Sequence, residues 1–411
     1  MTMASISDFP ASRAPARAAP VAGLRDPRLD FYRGIAMFII LCAHTPGNFF
    51  TSWIPARFGF SDATEIFVFC SGMASAIAFG RSFDRSGWAM GSARVAQRVW
   101  QVYWAHIAMF LTIAALLAAI DQYGSFDKVY IGTLNLWKFF AEPGPQLVGL
   151  VTLTYVPNYF DILPMYLVIL VMLPGVMALS RLHPFAVFAA MFALWLAAQE
   201  ALWQGLGTSF TGLSFPAEPW SERRWFFNPF GWQLVFFTGF AFMRGWIPAP
   251  PVRLWLIVVA TLIVLANVPL SNIGVREFGL DWARDWRIEN RAWFDKSDFG
   301  LLRHVHFLAL AYLAYVVAGP MGARLRPAGA GMASRAWATV VRLTTKVGQQ
   351  SLAVFLFSMV FARLSGFVMD QMGRTTWNMT LANFIGFGLL ICVAYTVAWF
   401  KGQPWKKSAT G

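Results

Sequence analysis

Arg33 and His44 are the pair around which chemistry can be built, and both lie in LDFYRGIAMFIILCAHTPGN, residues 29–48. At 1.5 Å and 100° per residue, the spacing puts them roughly 16 Å apart along a helix and on nearly the same face. In a bilayer, Arg33 falls at one surface and His44 about halfway through the roughly 30 Å hydrocarbon core. An ionisable group at that depth is expensive and marks a functional site. An imidazole there can take a proton from an attacking hydroxyl, general-base help worth roughly 10²–10⁴-fold in rate. Pro46, Gly47 and Asn48 predict an interruption of the helix just past the histidine.

Other polar side chains fall at the ends of apolar stretches. Asp62 and Glu65 open SDATEIFVFCSGMASAIAFG one turn apart. They could hold the second nitrogen of a histidine and favour the imidazolium, or be solvated, or act favourably at a helix N-terminus. Ser71-Gly72 marks a local unwinding where backbone amides become available. Gly72, Ala76 and Gly80 make a smooth face for close helix packing.

Arg94 and Arg98 in RVAQRVWQVYW are i, i+4 neighbours, able to clamp phosphates or to anchor a helix at the cytoplasmic surface. Asn228 and Gln233 come from FNPFGWQ, and Lys296, Asp298, Arg303, His304 and His306 from KSDFGLLRHVHFLALAY. They fit a lined cavity, although isolated amides in membrane helices commonly hydrogen-bond between helices. The His-x-His pair has no third ligand at telling spacing, so no metal is assigned.

The elements that position these groups follow from composition. The chain has 411 residues, 57% hydrophobic and 13% charged, with a mean hydropathy of +0.53. This excludes a soluble protein and describes an all-α polytopic integral membrane protein. Ten spans are expected, at 31–50, 64–80, 99–120, 160–179, 184–204, 229–246, 254–270, 301–319, 350–368 and 380–400. With both termini cytoplasmic, the bases Arg81, Arg85, Arg94, Arg98, Arg181, Arg244, Arg253, Arg324, Arg326, Arg335, Arg342 and Lys346 fall inside, as the positive-inside rule requires. That topology, rather than nucleic acid, accounts for the net charge of +13.

Residues 1–28 read as a disordered basic cytoplasmic tail, 29–400 as one membrane domain and 401–411 as a basic cytoplasmic tail. The outer segments carry Trp220, Trp225, Trp282, Trp286 and Trp293, an interfacial belt or a platform for sugar rings. Cys42, Cys70 and Cys392 all lie in apolar segments, which argues against a disulfide framework.

A base within the membrane, cations inside, and acids with aromatics outside suggest transfer across the bilayer from a phosphate-bearing donor to a polar acceptor. The blocks sharpen that outline. LDFYRGIAMFIILCAH, EIFVFCSGM and RVAQRVWQVYW resemble the first three helices of the acyltransferase-3 superfamily. GFSDATEIFVFCSG, YFDILPMY, NPFGWQ and KSDFGLLRHVHFLALAY resemble the OpgC family within it, whose members are associated with succinylation of osmoregulated periplasmic glucans.

The resemblance covers about residues 25 to 400. It implies a bacterial inner-membrane O-acyltransferase with His44 as base and Arg33 as its donor-side partner. It also implies acyl-CoA, with succinyl-CoA the expected donor, as co-substrate near Arg94, Arg98 and Ser71, and no tightly bound cofactor. The acceptor is a periplasmic glucan, with Asp62, Glu65, Asn228, Gln233, Asp298, Arg303 and His306 ranked as pocket residues. The alternative is a glycan or lipid-linked-sugar transporter or flippase without acyl-transfer chemistry. A non-catalytic membrane subunit is a third reading. The absence of a visible internal repeat counts against many transporter folds.

Overall fold

The computed structural model of the chain describes residues 26–124, 126–327 and 329–409. Residues 1–25, the bulk of the expected amino-terminal tail, lie outside the described residues, as do 410 and 411. Among the described residues the protein is all-α, with one isolated β-bridge between Pro216 and Arg224.

The principal helices are α1 (Arg28–His44), α2 (Ala63–Ser75), α3 (Arg81–Tyr123), α4 (Ile162–Leu179), α5 (Pro184–Ala198) and α6 (Pro229–Arg244). They continue with α7 (Leu254–Asn267), α8 (Leu301–Ala318), α9 (Met332–Gln349), α10 (Ser351–Met372) and α11 (Thr376–Lys401). Among the described residues, five stretches suffice by length and apolarity to cross a membrane: Ala63–Tyr123, Ile162–Leu179, Leu301–Ala318, Ser351–Met372 and Thr376–Lys406. Pro184–Ala198 and Leu254–Asn267 are apolar but shorter. Along α7 the side chains of Leu254, Val258, Leu262 and Leu265 are all exposed. Such an outward apolar face suits lipid rather than water, and together these helices describe a multi-pass membrane protein.

Helix α1 is packed on several sides. It meets α2, α9, α10 and α11. Two glycines permit the closest approach: a Cβ on Gly34 would strike the Thr344 carbonyl, and one on Gly348 the Asp30 carbonyl. Helix α9 was not expected, because residues 324–346 read as a basic inner loop. Its apolar residues recur at helical spacing, with Val341 and Val347 buried, so the charges line one face and the other seals against α1.

Gly72 fulfils the packing expectation for α2, since a Cβ there would collide with the Phe236 carbonyl of α6. The unwinding expected at Ser71-Gly72 does not occur. Both residues are regular α-helix, and the irregularity comes later, as a π-helical turn over Ala76–Gly80. Close packing on α6 leaves Gly72 no room to depart from the helix. The chain then runs helically into α3 and kinks at Gly87, whose φ of 78° only glycine adopts freely.

Candidate active site

The end of α1 and the turn after it fix the histidine. The helix stops at His44, as Pro46 and Gly47 predict, with Gly47 at φ 67°. The turn is clamped from two sides. Asn48 and Asn383 of α11 exchange amide hydrogen bonds of 2.8 and 3.1 Å. Arg374 donates to the Pro46 carbonyl and is itself held by Asp370 at 2.6 Å.

His44 is half-buried and directs Nδ1 at the Ile40 carbonyl, 2.8 Å away. A carbonyl only accepts, so Nδ1 carries the proton and Nε2 of the neutral ring keeps its lone pair. That is the tautomer a general base needs. Of the three readings of Asp62 and Glu65, the one at a helix N-terminus is met, and the one in which they hold the ring's second nitrogen is not. The local helix carbonyl does so, because both acids are engaged elsewhere.

Asp62 is the N-cap of α2 and accepts from the Thr64 amide, while Glu65 reaches back to the Asp62 amide at 2.7 Å. This capping box satisfies two orphan helix donors. Each acid also meets a base from the loop and first turn of α8. Lys296 pairs with Asp62 at 2.5 Å, and Arg303 lies 3.7 Å from Asp62 and binds Glu65 directly. Burial works against the Asp62 carboxylate, but Lys296 and Arg303 outweigh it and hold its pKa well below the usual range.

Three charged side chains lie within electrostatic reach of the His44 ring: Arg363, Lys296 and Asp62. The Tyr159 ring meets His44 edge-on with centroids 5.2 Å apart, and its hydroxyl donates to the Met359 carbonyl at 2.7 Å. On the same ring the Arg363 guanidinium stands 3.8 Å from the centroid. Tyr159 adopts φ 88°, a strained region for a bulky residue.

The sequence reading missed Tyr159 and Arg363. A signal for Arg363 was present, since it is a single arginine inside the apolar run SLAVFLFSMVFARLSGFVM. Tyr159 carried only its place in the YFDILPMY block, because the contact it makes is 200 residues away in sequence.

The other expected residues fall into separate groups. Arg33 donates to the Cys70 carbonyl at 3.2 Å, which brings it beside Ser71 on α2. Arg94 lines a cavity of about 460 Å³ with Arg81, Arg85, Ser82 and Ser86. Arg98 instead donates to Gln101 at 3.2 Å.

Asn228, Gln233, Asp298 and His306 serve as joints. Asn228 caps α6 and donates to Asp298 at 2.8 Å. Gln233 donates to the Met191 carbonyl of α5 at 2.7 Å. His306 Nδ1 accepts from the Ser61 amide and sits 2.7 Å from its hydroxyl. Through Asn228 and Trp232, α6 grips the 296–298 loop, which carries Lys296 to Asp62. Burial pushes the Asp298 carboxyl up to about 6, against the Asn228 hydrogen bond.

Of the outer tryptophans, Trp225 is buried and Trp286 stacks on Phe294, whereas Trp220, Trp282 and Trp293 are exposed. Among the described residues no three His, Cys, Asp or Glu side chains gather as a metal site requires.

The family model described as OpgC protein matches residues 25–402, most of the chain. No curated protein and no solved structure matches it.

Proposed function

We propose, from the premise that this chain belongs to the OpgC protein family, that it transfers an acyl group from cytoplasmic acyl-CoA to hydroxyls of a periplasmic glucan. Membership implies modification of glucans by succinylation, and so acyltransferase activity. The finer reading is ten membrane crossings with both termini inside, succinyl-CoA as donor, and His44 as general base.

The observation that carries it is the 2.8 Å contact of His44 Nδ1 with the Ile40 carbonyl, which leaves Nε2 as the nitrogen able to act as a base. The Nε2 lone pair takes the proton of a glucan hydroxyl as that oxygen attacks the thioester carbonyl. The tetrahedral adduct then collapses, the carbon–sulfur bond breaks, and the imidazolium returns the proton to the departing thiolate. Direct transfer of this kind needs no covalent acyl-enzyme.

The arginine-lined cavity beside the start of α3 supports the donor side. Arg81, Arg85 and Arg94 suit the phosphates of coenzyme A. On the acceptor side, exposed Trp220, Trp282 and Trp293 offer faces for sugar rings.

The test compares envelope glucans by mass spectrometry from wild type, a deletion, and the deletion carrying His44→Ala at equal membrane abundance. A mass increment present in wild type and missing from the other two supports the reading and identifies the acyl group. Identical glucans in all three refute glucan acylation. Wild-type protein in detergent that turns over no acyl-CoA points to transport instead.

A further inference from the structure

We infer that Arg363 determines donor specificity by binding a carboxylate at the far end of the acyl group. This rests on the acyl-transfer reading of the preceding section and names a specificity-determining residue of that same site. The observation is an arginine inside an apolar helix, α10, that forms no ion pair among the described residues. Its Nε is buried without a hydrogen-bond partner. The guanidinium stands over the Tyr159 ring, 3.8 Å from its centroid.

The neighbouring arginines differ. Arg303 is taken by Glu65 and Arg374 by Asp370. Arg303, a candidate to read an acyl carboxylate by its position, therefore has its charge already matched. A guanidinium left unmatched in a membrane helix is expensive, and such residues pair with a counter-charge or mark a substrate path. Here the missing counter-charge arrives with the substrate.

Geometry points the same way. Tyr159 meets the His44 ring in a T-shaped contact and carries the Arg363 guanidinium over its face. Its hydroxyl is tied to Met359, one helical turn before Arg363 on α10. The ring is thus a fixed spacer between base and guanidinium. A short acyl chain with its thioester carbon at His44 and its distal carboxylate at Arg363 lies along that ring. A permanent anion also balances a permanent cation better than a transient oxyanion does, because it is present from binding onward.

The experiment measures transfer by purified wild type, Arg363→Gln and Arg363→Lys from succinyl-CoA and from butyryl-CoA, its uncharged counterpart of equal chain length. Wild type is expected to prefer succinyl-CoA. Arg363→Gln should lower kcat/KM for succinyl-CoA by about 100-fold, as expected for a lost charge-assisted contact, and change butyryl-CoA by less than about 3-fold. Arg363→Lys should keep part of the succinyl preference, and it guards against a glutamine variant that fails to fold. Equal losses with both donors, or a wild type with no preference, overturn the assignment. Wild type inactive with every donor refutes acyl transfer itself, and this inference falls with it.

Discussion

His44 points its Nδ1–H at the carbonyl of Ile40, four residues earlier on its own helix, at 2.8 Å. The orientation of the imidazole is therefore internal to α1, and the turn that ends α1 follows it directly. That turn is held by the reciprocal amide pair of Asn48 and Asn383. Asn383→Ala removes one hydrogen bond from each amide group of Asn48, which keep the Cys42 carbonyl and the Phe50 amide as partners, at a cost of about 0.5–1.5 kcal/mol for each bond lost. Transfer by this variant should show a reduced kcat with KM for acyl-CoA nearly unchanged. A rise in KM alone would show that the turn serves donor binding instead.

Glu65 and Arg303 form a buried pair, with side chains 0% and 8% exposed. Removing one partner strands the other charge, and such single losses cost about 3–5 kcal/mol. Glu65→Leu is expected to lower the thermal midpoint in detergent sharply. Glu65→Leu with Arg303→Leu should recover much of it. A double variant no better than the single one would mean that packing, not charge, dominates there.

The cavity beside the start of α3 separates two arginines that sequence spacing had paired. Arg94 lines it and Arg98 does not. Arg94→Ala, alone or with Arg85→Ala, should raise KM for acyl-CoA several-fold, with a weakened salt dependence, because exposed cations act through screened attraction. Arg98→Ala should change KM far less. Equal effects of Arg94→Ala and Arg98→Ala would restore the original pairing.

Asp298 lies outside the spanning helices, and burial raises its carboxyl to about 6 from a reference value of 3.8. A carboxyl whose folded pKa is raised favours the protonated form in the fold. Its stabilising contribution is complete below the unfolded value and is lost as pH rises through the folded one. Asp298→Asn keeps an oxygen to accept from Asn228 but does not ionise. Its thermal midpoint relative to wild type should climb between pH 4 and pH 7. A difference independent of pH would show that Asp298 titrates normally.

What the sequence determined by itself was what local chemistry controls. The apolar runs specify helices, Pro46 and Gly47 end α1 at the histidine, and Asp62 with Glu65 opens α2. Each depends on residues a few positions apart. The arrangement around His44 depended on the tertiary structure. Glu65 finds Arg303 across 238 positions and Tyr159 finds Met359 across 200, and no periodicity encodes either. The helix over the basic segment, α9, closes on α1 at Gly34, a contact between residues far apart in sequence. Likewise, Lys296 and Arg303 reach Asp62 and Glu65 from a segment more than 230 residues further along the chain. Packing allots a limited set of buried partners, and that allotment exists only once the helices have met.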